Sequence, residues 1–390
     1  MMKLSLFQLS PFQWSAFNFF GFYAAFGVLL PFLPVWLKYH GYDTDIIGLL
    51  IALGYLFRFV GAMFFSRSVK NPNQLIPLNR FLTWATVAVL FVVAWAVGSI
   101  WLLLPAIAVF HIFNGGSMPI ADTISSTYQQ QIGMDYGRSR LFGSVAFVVG
   151  SISTGYLVGW LGESAIIGIL IGWLVFLGVG ISFNPSQKFV ENSKNDNQSA
   201  SDVGYLTLMK VPTTLKMLIA ISLIQSSHAA YYAYSTLYWT SSGISTTHTS
   251  FLWGAAVVAE ITFFFFANKL FKAWKTQHLI ILAALGAMVR WAILASTNQF
   301  AILFAAQLLH AISYAMGHYA MIRYISTQPV EHNAKLQALY FSWASCGVMA
   351  LFTFIAGLVY QISPAFSFWL MLIFALPAIF IVPKKFESKV

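Results

Sequence analysis

The chain is a succession of long apolar runs separated by short polar breaks. Twelve runs stand out, at 14–37, 46–65, 76–97, 101–128, 140–160, 165–183, 215–238, 250–268, 278–295, 301–325, 336–360 and 364–382. Each approaches the ~20 residues that carry an α-helix across the hydrocarbon of a bilayer. The runs are continuously apolar and lack the ~10-residue alternation of barrel strands. The pattern predicts an all-α membrane protein with twelve transmembrane helices.

Composition agrees with this. Of 390 residues, 59% are hydrophobic and 8% charged, against ~25% charged in soluble domains. A net charge of +10 in a soluble protein would suggest a nucleic-acid partner, but its distribution points to membrane topology and to no such partner. Counting along the twelve spans puts 18 of the 21 Lys and Arg on one side, from Lys3, Arg67, Lys70 and Arg80 to Lys384, Lys385 and Lys389. Lys38 falls opposite, and Arg58 and Arg290 lie within spans. The positive-inside rule makes the heavy side cytoplasmic and puts both termini there. The first span lacks a cleavage site and is expected to remain as an anchor.

The longest polar stretch, 184–213, reads as a flexible cytoplasmic linker. It divides the chain into an N-terminal bundle, 1–183, and a C-terminal bundle, 214–390, of six helices each, expected to be pseudo-symmetric repeats. A faint echo supports the repeat. Arg58 precedes Arg67 and Lys70 by nine and twelve residues, and Glu260 precedes Lys269 and Lys272 by the same intervals. Spans 4 and 10 each carry a central histidine, His111 and His310. Gly and Pro in spans 1 and 4 (Pro31, Pro34, Pro105, Pro119) are candidate bends.

Five charges interrupt this apolar background: Arg58, Asp122, Arg140, Glu260 and Arg290. A charge at the bilayer centre costs about 2.5–3.5 kcal/mol on insertion scales, so such residues pair, bind a solute or move a proton. His111, Asn114, Met118, Asp122 and Ser125 share one face of span 4, and Arg140 at the start of span 5 is the evident partner of Asp122. Arg58 either pairs with Asp122 or attracts an anion. In the second half, Gln225, His228 and Tyr232 form a stripe on span 7. Gln307, Tyr314 and His318 fall near one line of span 10, with His310 about 60° away on a regular helix. Burial favours the protonated form of a carboxylate, and a nearby arginine favours the ionised form. A Glu260–Arg290 contact that forms and breaks would let Glu260 load and release a proton, with His310 as relay.

Several chemistries are absent. There is no G-x-x-x-x-G-K-[ST] phosphate loop, no metalloprotease helix motif and no G-x-S-x-G, so ATP-driven transport by this chain and enzymatic activity are not expected. The single cysteine, Cys346, allows neither a disulfide framework nor a thiolate metal cluster. No cofactor is implied.

The stretch Asp135-Tyr136-Gly137-Arg138-Ser139-Arg140-Leu141-Phe142-Gly143-Ser144 resembles the loop 4–5 signature of the major facilitator superfamily, in its oligosaccharide and nucleoside:proton symporter branch. In that branch the arginine at Arg140 pairs with an acid at the position of Asp122 and binds the solute. Glu260, Arg290 and His310 match the branch's proton-site acid, helix 9 arginine and helix 10 histidine. The chain departs from the sugar carriers at Ser313, where an acid is expected, at His228 and Gln307, where an Asp–Lys pair is expected, and at Phe147, which replaces a sugar-stacking Trp. Further blocks, Ser227-His228-Ala229-Ala230-Tyr231-Tyr232, Val257-Val258-Ala259-Glu260 and Val289-Arg290-Trp291, are similar to the 3-phenylpropionate carriers of that superfamily.

The resemblance implies a monomeric secondary transporter of the cytoplasmic (inner) membrane, coupling a small organic solute to a proton. The solute would be an aromatic carboxylate such as 3-phenylpropionate. A sugar or nucleoside symporter and an exporter of the same fold remain alternatives. The expected solute contacts are Asp122, Arg140, Arg58, His228 and Gln307; the expected proton site is Glu260 with Arg290 and His310.

Overall fold

The computed structural model describes residues 8–190 and 203–384. These residues are almost entirely helical: one isolated bridge, between Leu9 and Pro185, is their only strand-like pairing. Helices α1 (Pro11–Tyr39), α2 (Thr44–Ser68), α3 (Leu75–Ala96), α4 (Ile100–Ile132), α5 (Tyr136–Leu161) and α6 (Ile166–Ser182) account for the first six apolar runs. Ser10 starts α1 with a capping box, its hydroxyl accepting from Gln13 N while the Gln13 side chain accepts from Ser10 N. Gly133, at φ 70°, ends α4, and Asp135 caps α5.

In the second half, a short helix α7 (Tyr205–Lys210) precedes α8 (Pro212–Ser226) and α9 (Ala229–Ser241). Then come α10 (Thr246–Phe271), α11 (Thr276–Ser296), α12 (Phe300–Leu308), α13 (Gly317–Ser326), α14 (Val330–Tyr340), α15 (Val348–Ile362), α16 (Pro364–Ala375) and α17 (Ala378–Ile381). A π-turn, Ala311–Met316, joins α12 to α13, and a second, Phe341–Gly347, joins α14 to α15.

Eleven helical stretches among the described residues are long and apolar enough to cross a membrane. The twelfth expected span, 215–238, is not one helix. It breaks between α8 and α9 at Ser227 and His228, and neither piece is long enough alone. The prolines of spans 1 and 4 lie within unbroken helices. α1 continues through Pro31 and Pro34, and α4 through Pro105 and Pro119. The irregular backbone lies instead in spans 7, 10 and 11, at places without proline.

The chain groups into two compact units, Met1–Tyr42 with Leu56–Asn195, and Asp43–Tyr55 with Asp196–Val390. In the first unit, α1 crosses α5 through glycines: a Cβ on Gly150 would strike the Ala24 carbonyl, and one on Gly27 would lie 2.9 Å from Ser151 N. α2 meets α4 in the same way, the Gly115 position lying against the Arg58 backbone. In the second unit, the opening turns of α2 pack on α9 and α15. The Tyr234 hydroxyl donates to the Thr44 carbonyl at 3.0 Å, and a Cβ on Gly48 would lie 3.2 Å from Gly357 Cα.

Of the expected linker, 191–202 lie outside the described residues, as do Lys3, Lys194, Lys385 and Lys389. The described part is structured. Arg80 Nε donates to the Ile181 carbonyl at 2.7 Å, and Gln131 bonds both the N–H and the carbonyl of Val190 at 3.0 Å. Residues Tyr205–Lys210 form α7.

Candidate functional site

Two polar clusters stand out, one in each unit. In the first, the tight α4–α5 connection sets Tyr136 and Arg140 one turn apart on α5, so both reach the Asp122 carboxylate on α4. Arg140 Nε lies 3.5 Å from Asp122 Oδ1, and the Tyr136 hydroxyl donates to the same oxygen at 2.9 Å. Arg140 Nη2 donates to the Tyr23 hydroxyl. Its guanidinium lies over the rings of Tyr23 and Phe19, 4.4 and 5.2 Å from their centroids. Gly143 makes room for this stack, since a Cβ there would sit 2.6 Å from Tyr23 Cδ2.

Arg58 enters the same aromatic group. Its guanidinium lies 4.9 Å from the centre of Phe26, which contacts Tyr23, Phe22 and Phe147. His111 lies within electrostatic reach of Arg58, and the Asn114 and Ser125 of the same face are buried. The cluster thus brings together Asp122, Arg140 and Arg58, and adds Tyr23 and Tyr136, which sequence reasoning had not singled out. The spacing of Tyr136 four residues before Arg140 was the available signal.

The second cluster surrounds Arg290 on α11, which is 0% exposed. Its Nη2 donates to Gln307 Oε1 at 2.7 Å, and its Nη1 reaches His310 Nδ1 at 2.8 Å and Ser313 Oγ at 3.4 Å. Tyr231 and Trp291 cover its faces, with centroids at 4.3 and 5.0 Å. A buried guanidinium needs this many partners because it cannot shed its charge.

These bonds fix proton positions. Arginine only donates, so His310 Nδ1 must accept, and the ring hydrogen sits on Nε2. That nitrogen lies 3.5 Å from Glu260 Oε2 on α10. His228 carries its hydrogen on the other nitrogen, because its Nδ1 faces the carbonyls of Ile224 and Gln225 at 3.2 and 3.1 Å. Its Nε2 then accepts from the Ser313 hydroxyl at 3.2 Å. The carbonyls that hold His228 lie in the last turn of α8, at the α8–α9 break.

The expected direct Glu260–Arg290 contact is therefore routed through His310, and Ser313, where an acid was expected, links Arg290 to His228. His228 and Gln307, expected beside the solute with Asp122 and Arg140, take part in the Arg290 cluster. The His310 ring stacks on Tyr314, four residues on, 4.9 Å away and 13° from parallel.

The MFS_1 like family model matches residues 12–371. The "Probable 3-phenylpropionic acid transporter" of Escherichia coli (strain K12) is 34% identical over 378 residues, 96% of this chain and 98% of that protein. Among solved structures, the nucleoside transporter NupG superposes with a TM-score of 0.80 at 12% identity, over 96% of this chain and 98% of that one. A D-xylose–proton symporter superposes with a TM-score of 0.69 at 12% identity, over 96% and 97%. At such identities these structures speak for the fold alone. The fold, the family match and the near full-length relative agree: this chain belongs to the MFS_1 like family and is a multi-pass membrane transporter of the major facilitator type, not an enzyme.

Proposed function

We propose that the chain is a proton-coupled symporter of a small aromatic carboxylate such as 3-phenylpropionate, acting as a monomer in the cytoplasmic (inner) membrane with both termini cytoplasmic. The observation that carries this reading is the pairing of guanidinium groups with aromatic rings in the first cluster. Arg140 and Arg58 lie over Tyr23, Phe19 and Phe26 within one aromatic group. A guanidinium fork suits a carboxylate, and neighbouring rings suit an aromatic body. Phe147, close to Phe26, adds apolar surface where a sugar would need hydrogen-bonding groups. The name of the Escherichia coli relative points to the same solute class.

Glu260, with His310 and Arg290 behind it, is the proton site of this reading. A proton entering with an anion removes the charge that an inside-negative membrane potential would repel.

The test is uptake by purified protein in proteoliposomes with an alkaline interior, corrected for passive entry with protein-free vesicles. Labelled 3-phenylpropionate should accumulate and be lost on adding an uncoupler, while a sugar and a nucleoside should not accumulate. Glu260→Gln should abolish accumulation and keep exchange of preloaded solute. Accumulation of the sugar or nucleoside instead would overturn the solute class, and concentrative uptake by Glu260→Gln would overturn the proton role.

A further inference from the structure

Glu260 has polar neighbours on both sides along its helix, and only His310 belongs to the cluster already described. α10 lies against the π-turn and, through side chains, against α13. Glu260 meets His310, Phe264 contacts the His318 ring edge-on at 6.1 Å, Asn268 accepts from the Tyr319 hydroxyl at 3.0 Å, and the Phe271 carbonyl accepts from Arg323 at 3.1 Å. This ladder descends from Glu260 toward the end of the unit that carries Lys269, Lys272 and Arg323. One rung below Glu260, His318 Nδ1 lies 3.0 Å from the Tyr340 hydroxyl at the end of α14.

Both partners owe their positions to irregular backbone. His318 follows the first π-turn within two residues, and Tyr340 directly precedes the second. On a regular helix, His318 would be rotated roughly 80° from His310. The wider i→i+5 turn counters that drift. Side chains from the α8 end bond one carbonyl in each π-turn. Gln225 Nε2 donates to the Tyr314 carbonyl at 3.1 Å, and Ser226 Oγ to the Ala344 carbonyl at 3.0 Å. Two adjacent residues of α8 thus hold both π-turns, and through them the His318–Tyr340 pair.

We infer that His318 and Tyr340 form a proton-release path for Glu260, leading away from His310 along the α10–α13 seam. The inference rests on the reading of Glu260 as the proton site and adds the route by which the proton leaves. The titratable groups around Glu260 include His310 and His318 from span 10, Tyr340 from α14 and Tyr232 from α9. His318, Tyr340 and Tyr232 each lie within electrostatic reach of the carboxylate. His310 is held as a donor toward Glu260 by Arg290, so its ring nitrogen facing the carboxylate has no lone pair to take a proton. His318 has no such arginine bond, and its Nε2 can accept.

In the step, the O–H bond of protonated Glu260 breaks as its proton passes to a bridging water, and an N–H bond forms at His318 Nε2 with one of that water's own protons. The imidazolium gives its Nδ1 proton to the Tyr340 oxygen as the hydroxyl's own proton passes to water. Glu260 ends as a carboxylate, water carries the proton, and the imidazole is left as the Nε2–H tautomer until it re-equilibrates. Tyr340 is neutral before and after.

The test needs no solute. Purified protein in lipid nanodiscs is subjected to an alkaline pH jump, and the carboxyl C=O stretch is followed by time-resolved infrared spectroscopy. The Glu260 band is the one absent in Glu260→Gln. His318→Gln keeps a hydrogen-bonding partner for Tyr340 but accepts no proton, and Tyr340→Phe removes the onward hydroxyl. Both should slow the decay of the band by at least about tenfold, the lower range of a positioned proton-transfer group, with its amplitude unchanged. A merely structural staple would leave that rate as in wild type, and an unchanged rate in both variants overturns the path. If Tyr340→Phe fails to fold, His318→Gln alone decides. A wild-type protein with no band that Glu260→Gln removes would sink the proton-site reading itself, and the path with it.

Discussion

Gln307→Leu tests how the second cluster holds its charge. Arg290 is fully buried, and its Nε has no hydrogen-bond partner among the described residues. The 2.7 Å bond from Nη2 to Gln307 Oε1 is the shorter of its bonds to neutral side-chain oxygens, the one to Ser313 being 3.4 Å. Leucine fills a similar space and offers no acceptor. A hydrogen bond to a charged group contributes about 1.5–3 kcal/mol net, which corresponds to roughly 10- to 150-fold in an equilibrium constant. Membrane proteins in detergent commonly unfold irreversibly, so the quantity to measure is a half-life at fixed temperature, followed by tryptophan fluorescence. Gln307→Leu should shorten that half-life by at least about tenfold. Gln307→Glu should recover much of it by restoring an acceptor. It should also abolish uphill transport, because a permanent carboxylate would hold Arg290 and compete with the coupling to Glu260. A Gln307→Leu protein that survives as long as wild type would refute the view that neutral acceptors stabilise this buried arginine.

Two further outcomes concern the first cluster. Arg140→Lys should weaken 3-phenylpropionate binding by about tenfold or more, measured by isothermal titration, because an ammonium cannot bond Tyr23 and Asp122 while lying flat on a ring. Gly143→Ala should weaken binding in the same assay with Arg140 intact, since a Cβ there would lie 2.6 Å from Tyr23 Cδ2 and 3.1 Å from Arg140 Nη1; unchanged affinity would mean the Tyr23–Arg140 stack does not shape the site.

The apolar runs made the helices legible, because a span must satisfy its backbone internally and so writes itself as ~20 consecutive apolar residues. The α4–α5 pair was legible for a local reason: Gly133 and Asp135 mark the turn, and Asp122 and Arg140 lie close on either side of it. The breaks were not. The prolines of α1 and α4 lie within helices that run through them, while the breaks fall where there is no proline. At Ser227 a neighbouring side chain bonds the interrupted backbone, and in the π-turns distant side chains donate to it. His228 turns back on the carbonyls of Ile224 and Gln225, while Gln225 and Ser226 bond carbonyls more than eighty residues away. No window of neighbouring residues contains the long-range bonds. The same limit hid the role of His228, whose position in a polar stripe suggested a solute contact and whose bonds are to the backbone and Ser313.

The two clusters also hold their arginines in different ways, Arg140 partly exposed and Arg290 fully buried, and the difference bears on coupling. Arg140 is neutralised directly, by a carboxylate 3.5 Å away that Tyr136 helps to hold. Taking the charge from Asp122 would leave Arg140 with one fewer partner and strip the site of its order, so this pair suits a fixed binding surface. Arg290 is held by Gln307, His310 and Ser313 and by two aromatic faces. None of those groups has to change its charge when Glu260 does. Glu260 meets His310, whose imidazole in turn meets the arginine, so a proton can come and go from the carboxylate while the guanidinium keeps its bonds. A direct Glu260–Arg290 ion pair would have tied each proton transfer to the loss of a buried salt bridge, which is strongly destabilising when one partner is removed. Interposing a neutral histidine lets the arginine bias the carboxylate without being bound to it.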